Sequence, residues 1–300
     1  MVQYEFKLIE VTKKVTMEEI NKMKKRFTVF ALVACLVFIL AACGGNSKTN
    51  AAAIATPVDF EGRNIAVQVD TTAQYDLDRM IEEDGMKIEI SRYEKVTQCF
   101  DELALGRVDA VYVDSVVAAY YTTGNDKYQL AWLSDEGEPM GMCLAKSSDD
   151  LAAAVEAAID MMFFDGSMAE IAKTHFGEDF TEGLRDVASE PTIPTDFATK
   201  KDGKFMVGAE IGYPPMEYTT EDGMEYIGFD IDVAKRLAEI LGLEVEFVNT
   251  AWDGIFFGLE KGEYDIVISS VSITPERQEK YILTEPYVSN ALSIITSTGK

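Results

Sequence analysis

The stretch GEYDIVISSVSITPER, residues 262–277, runs from a β-branched apolar segment into hydroxyls and then a guanidinium. Residues 265–268 have the composition of a buried strand. Ser269, Ser270 and Ser272 follow, then Thr274, Pro275 and Glu276, and the run closes on Arg277. A guanidinium can fork two N–H bonds onto one carboxylate, and strand-end hydroxyls add neutral donors and acceptors. Pro275 at a helix start puts Arg277 in the first turn, where a cation is disfavoured unless an anion sits nearby. The plainer role for Arg277 is a surface pair with Glu276 or Glu279. A phrase on the same plan, GRVDAVYVDS at residues 106–115, carries a carboxylate, Asp114, near its end. At an equivalent strand end Asp114 suits an ammonium; its plainer role is a strand-end cap. The chemistry on offer is recognition.

Other chemistries are excluded by what the chain lacks. Its single histidine, His175, ends a helical phrase and reads as structural; His-based triads, HExxH zinc sites and most transition-metal sites fall away. No catalytic nucleophile motif, P-loop or GxGxxG stands between a strand and a helix. No catalytic residue, metal or cofactor is therefore expected. A formal charge of −25 excludes a nucleic-acid partner, since no broad basic patch can form. At 47% hydrophobic and 26% charged residues, the 300-residue chain has the composition of one or two ordinary globular domains. Of the cysteines at 35, 43, 99 and 143, only Cys99 and Cys143 lie in the body, and spacing alone does not decide whether they pair.

The elements that must position these residues alternate between short apolar strands and helical patterns, the sign of α/β units with mainly parallel sheets. Residues 64–69 read as a strand, 95–106 as an amphipathic helix closed by glycine, and VDAVYV as the next strand. Later, residues 204–210 read as a strand, 229–242 as a helix, EVEFVN as a strand, WDGIFFGLEKG as a helix and YDIVISS as a strand. CFDELALGRVDAVYVDS and IFFGLEKGEYDIVISSV align without a gap, so that Gly106 matches Gly262, Asp109 matches Asp265 and Asp114 falls opposite Ser270. Two such copies suggest paired lobes with ligand-facing strand ends and hinged closure between them. At the front, a Lys24-Lys25-Arg26 head precedes an apolar run, short for a membrane span, that ends in LAAC at Cys43 and resembles a bacterial lipobox. Residues 1–22 precede what reads as a complete signal, which leaves Met1, Met17 and Met23 as candidate starts. An uncleaved anchor is the alternative.

The run from VGAEIGYPPMEY through GFDIDVAKRLAEILG and SVSITPERQEKYILTEPY resembles the first lobe of bacterial extracellular solute-binding proteins of family 3, the amino-acid receptors of ABC importers. FEGRNIAVQVDTTAQ and LALGRVDAVYVDSVVAAYY are similar to that family's second lobe, and residues 140–177 to its return crossing and closing helices. The resemblance implies an α/β, two-lobed type II periplasmic-binding-protein fold, a hinged Venus-flytrap, with the lobes in circularly permuted order. The expected division is extension and signal peptide at 1–43, tether at 44–59, second and smaller lobe at 60–140, return strand and closing helices at 141–180, a loose linker at 181–203, and first, larger lobe at 204–300. A gene fragment lacking a downstream half is the rival to permutation.

The resemblance also assigns roles. An amino acid is a zwitterion: Arg277, Ser270, Ser272 and Thr72 would take its carboxylate side, with Thr71 or Gln68 nearby, and Asp114 its ammonium. Tyr213 and Trp252 occupy the positions where the family holds the ligand side chain between rings, which suit aliphatic stems and cations. Glu210 stands where receptors of basic amino acids carry a carboxylate, so a polar or cationic side chain is expected. Asp70 stands where the family usually has glycine, and Ala73 replaces a frequent polar residue. The implied protein is a monomeric, non-enzymatic lipoprotein on the extracellular face of the cell membrane (the periplasmic side where a second membrane exists), anchored through lipid on Cys43 and docking on ABC permease subunits. The alternatives are a secreted dehydratase of the prephenate or arogenate type on the same fold, or a ligand-sensing module.

Overall fold

The computed structural model describes residues 53–299; the extension, the signal-like run and Cys43 lie outside the described residues. With the lobes now numbered in chain order, the first lobe (residues 60–140) carries β1 (Asn64–Gln68), α1 (Thr72–Glu82), β2 (Glu89–Tyr93), α2 (Val96–Ala104), β3 (Ala110–Asp114), α3 (Ser115–Thr122) and β4 (Tyr128–Gly137). The chain then crosses to a second lobe of β5 (Cys143–Ala145), α4 (Asp149–Asp165), α5 (Ser167–Phe176), β6 (Lys204–Ala209), the hairpin β7 (Tyr218–Thr219) and β8 (Tyr226–Ile227), α6 (Phe229–Leu241), β9 (Glu244–Asn249), α7 (Trp252–Lys261), β10 (Ile266–Val267), α8 (Pro275–Lys280) and β11 (Tyr281–Leu283). A last strand, β12 (Ala291–Ser297), returns to the first lobe and inserts between β3 and β4, giving the order β2-β1-β3-β12-β4. The second sheet runs β11-β5-β10-β6-β9. Among the described residues no helix is long and apolar enough to cross a membrane.

Both sheets are mixed rather than mainly parallel. β1, β2 and β3 pair in parallel, as do β6, β9 and β10, while β12 and β5 run antiparallel to their neighbours. The two chain crossings zip together: Glu138 N donates to Asn290 O at 2.7 Å, Met140 N to Val288 O at 3.1 Å and Tyr287 N to Met140 O at 3.0 Å.

The internal repeat has a structural meaning at its aspartates. Asp109 Oδ2 accepts the Asn64 amide at 2.8 Å, and Asp265 Oδ2 accepts the Met206 amide at 2.8 Å. Each carboxylate thus satisfies a backbone donor of the adjacent parallel strand, at the first residue of β1 and the third of β6. Gly106 and Gly262 turn the chain just before, at φ of +66° and +71°, where a Cβ would be strained. His175 Nε2 lies 2.8 Å from Asp232 Oδ2 and ties α5 to α6, a structural role. Cys99 and Cys143 are both free and buried, on α2 and β5, and burial pushes each thiol up to about 12.

The segment 181–203, expected to be loose, is instead docked. Arg185 is 7% exposed; its guanidinium meets Glu156 and Asp160 at 2.7 Å each and donates to the carbonyls of Pro286 at 3.0 Å and Glu285 at 2.6 Å. Ile193 and Phe197 pack on the core, and Lys200 N donates to Asp265 Oδ1 at 2.6 Å. Arg185→Ala is expected to cost about 2–3 kcal/mol, since it strands two carboxylates and two carbonyls. A urea midpoint within error of the parent's would refute this.

Candidate functional site

The carboxyl ends of β1 and β3 face those of β6 and β10, and the ten residues expected from sequence to bind ligand line one narrow pocket. From the first lobe come Gln68, Thr71, Thr72 and Asp114; from the second come Glu210, Tyr213, Trp252, Ser270, Ser272 and Arg277. Glu217 and Ser269 also line it.

β10 ends at Val267, earlier than the YDIVISS strand expected from sequence. Three residues on, Ser270 bars the strand from running further: its φ is +52°, and its amide turns to Asp230 Oδ2 at 2.8 Å. A left-handed residue cannot continue a strand. Asp70 adopts the same region at φ +57°, so it takes the conformation a glycine would supply, and Trp252 Nε1 donates to its carbonyl at 2.9 Å from the other lobe. Asp tolerates this region better than most residues because its side chain is short and polar.

Arg277 donates to the Ser272 carbonyl at 2.9 Å, while its carbon centre lies 5.4 Å from the Trp252 ring and 5.2 Å from the Phe256 ring. Burial lowers its pKa, opposed by Tyr75 and Glu138. The guanidinium is thus held flat between aromatic faces and a carbonyl, not spent on Glu276 or Glu279.

Asp114 is met from two directions: Tyr213 Oη donates to Oδ2 at 2.5 Å and Asn290 Nδ2 to Oδ1 at 2.6 Å. Burial nevertheless pushes its carboxyl up to about 7, with Glu138 adding to the rise. Glu210 is buried, accepts from Gln68 Nε2 at 2.9 Å, and is likewise pushed up to about 7 by burial. Glu217 is raised further, by burial and then by Asp230; Asp230 itself rises to about 6. Counted as acceptors only, these two acids leave Glu217 Oε2 without a partner; one proton shared between them resolves it.

Several expected roles need correction. The Thr71 hydroxyl caps α1, accepting from Gln74 N at 3.3 Å and donating to Gln68 O at 2.8 Å. The hydroxyls of Thr72 and Ser272, expected to point at a carboxylate, both donate to Glu138 Oε1 at 2.7 Å. A hydroxyl has one proton, so each can then only accept from the pocket. Glu138 and Asn290, both on the crossings, were missed, as were Glu217 and Asp230. The latter two sit in the phrases YPPMEY and GFDID, where an acid among apolar neighbours is the available signal.

Comparison with known proteins finds partial matches along the chain. A model of bacterial extracellular solute-binding proteins, family 3, matches residues 205–300. A second model, NMT1/THI5 like, matches residues 44–143. The family 3 relatives include the L-cystine-binding protein TcyJ of Escherichia coli (strain K12), 35% identical over 33% of this chain and 37% of its own. They also include the cyclohexadienyl dehydratase of Pseudomonas aeruginosa, 37% identical over 31% of this chain and 35% of its own. Among solved structures, an ancestral cationic amino acid solute binding protein is 49% identical over 26% of this chain and 33% of its own, at a TM-score of 0.25. The chain thus spans little more than a third of the curated relatives it matches. The fold is α/β and two-lobed, with one five-stranded sheet in each lobe.

Proposed function

We propose that this protein captures a free amino acid between its lobes and delivers it to an ABC importer. The observation that carries this reading is the placement of Arg277 and Asp114 on opposite lobes around one pocket. A zwitterion is the ligand that pairs both at once, and only a closed cleft presents both. Glu210, at the far end of the same pocket, favours a polar or cationic side chain. The protein would sit on the extracellular face of the cell membrane, held by lipid on Cys43, as a monomer with permease subunits as partners. We read the lobes as circularly permuted: β12, from the end of the chain, completes the sheet of the lobe that opens it.

A dehydratase remains the second reading, favoured by the carboxyls of Asp114 and Glu210. At about 7 these suit a general acid, and one curated relative is such an enzyme. Thermal unfolding of the full chain against a panel of common amino acids at millimolar concentration tests the first reading. A ligand at 100 times its Kd is expected to add about 2.7 kcal/mol. No shift with any amino acid, together with turnover of prephenate or arogenate, would replace the first reading with the second.

A further inference from the structure

Lys95 stands in a place that local structure does not explain. It is the N-cap of α2, where Ser, Thr, Asn or Asp would accept from the first turn, and its side chain makes no capping bond. An ammonium only donates, so it cannot cap. Gln98 supplies the local bond instead, its Oε1 accepting from Lys95 N at 3.0 Å. The Lys95 side chain leaves its own lobe and crosses the cleft. Its Nζ donates to Ile211 O at 2.9 Å and lies 4.0 Å from Glu210 Oε1. The passage is tight: a Cβ on Gly212 would come within 2.9 Å of that Nζ.

Glu210 Oε1 is buried and has no hydrogen-bond partner among the described residues, since Lys95 Nζ at 4.0 Å is beyond hydrogen-bond reach. The far end of the pocket therefore holds an acceptor still open to a donor, with a positive charge already beside it. We propose that Lys95 is a specificity-determining residue of this cleft: its ammonium, set opposite Glu210, disfavours amino acids whose side chain ends in a cation and favours those ending in a neutral N–H donor. The proposal rests on the amino-acid reading above. A neutral amide or ureido group gives one N–H to Glu210 Oε1 and meets no repulsion. A guanidinium or ammonium reaching the same oxygen adds a second cation to a site that Lys95 has already balanced. Lys95 is 47% exposed, so solvent and salt weaken the effect.

Arginine and citrulline isolate this effect, since they match in shape and differ in charge at the side-chain end; lysine against glutamine repeats the comparison. Titration calorimetry on the full chain in mild detergent is expected to show Lys95→Met moving the arginine-to-citrulline affinity ratio toward arginine by about fivefold. Lys95→Arg, which keeps the charge, should leave the ratio where it was. A ratio unmoved in Lys95→Met, or moved equally in Lys95→Arg, overturns the proposal and leaves the amino-acid reading standing. Should Lys95→Met fail to fold, Lys95→Gln makes the same comparison; failure of both would make Lys95 a structural residue and overturn the proposal as well. A parent chain that binds no amino acid overturns both readings.

Discussion

Arg277→Met is expected to weaken amino-acid binding by a few hundredfold, about 3–4 kcal/mol. The methionine keeps an apolar stem against Trp252 and Phe256 but removes the fork that would hold a carboxylate. The unliganded chain should unfold at the same temperature as the parent or higher, because a buried cation with no facing anion costs stability. Arg277→Lys should fall between the two, retaining charge without bidentate geometry. Calorimetric titration with the best ligand of the panel decides it: a Kd within threefold of the parent's would remove Arg277 from the site.

Acidification is expected to stabilise the empty protein and weaken binding. The carboxyls of Asp114 and Glu210 are pushed by burial to about 7, and that of Asp230 to about 6, against about 4 in an unfolded chain. Between pH 4 and 7 the folded state therefore binds more protons than the unfolded one, and stability falls as pH rises through this window. Carboxylates held low, such as Asp179 by Thr181 and Asp232 by His175, act in the opposite sense, but below pH 4. The empty protein should thus be more stable at pH 5.5 than at pH 8, by about 2 kcal/mol for each carboxyl that titrates near 7. A ligand ammonium requires ionised Asp114, so affinity should drop below pH 7, by up to about tenfold per unit. Melting curves with and without ligand at both pH values should diverge in this way. An empty protein less stable at pH 5.5, or affinity indifferent to pH, would show that Asp114 does not titrate in the cleft.

Residues that act through chain periodicity were legible in the sequence; those that act across it were not. Asp114 and Ser270 fall opposite one another in the repeat, and Arg277 follows a strand end by a fixed spacing. Glu138 reaches Thr72 across 66 positions and Asn290 reaches Asp114 across 176. No local pattern encodes such bonds, because the folded crossing alone brings the partners together. The docked linker escaped notice for a related reason. Its composition is polar and irregular, yet a single buried guanidinium and two apolar side chains fix it to the surface beneath.

The insertion of β12 also governs the order in which the chain can assemble. β4 pairs with β12 alone, so through the synthesis of about 150 further residues it has no strand to join. The second lobe's sheet, by contrast, is a continuous stretch from β5 to β11. A nascent chain can therefore finish the sheet it begins second before the one it begins first. Until the last strand threads between β3 and β4, the apolar edges of the first lobe stay open, and a folding helper or the finished neighbouring lobe must shield them in the meantime.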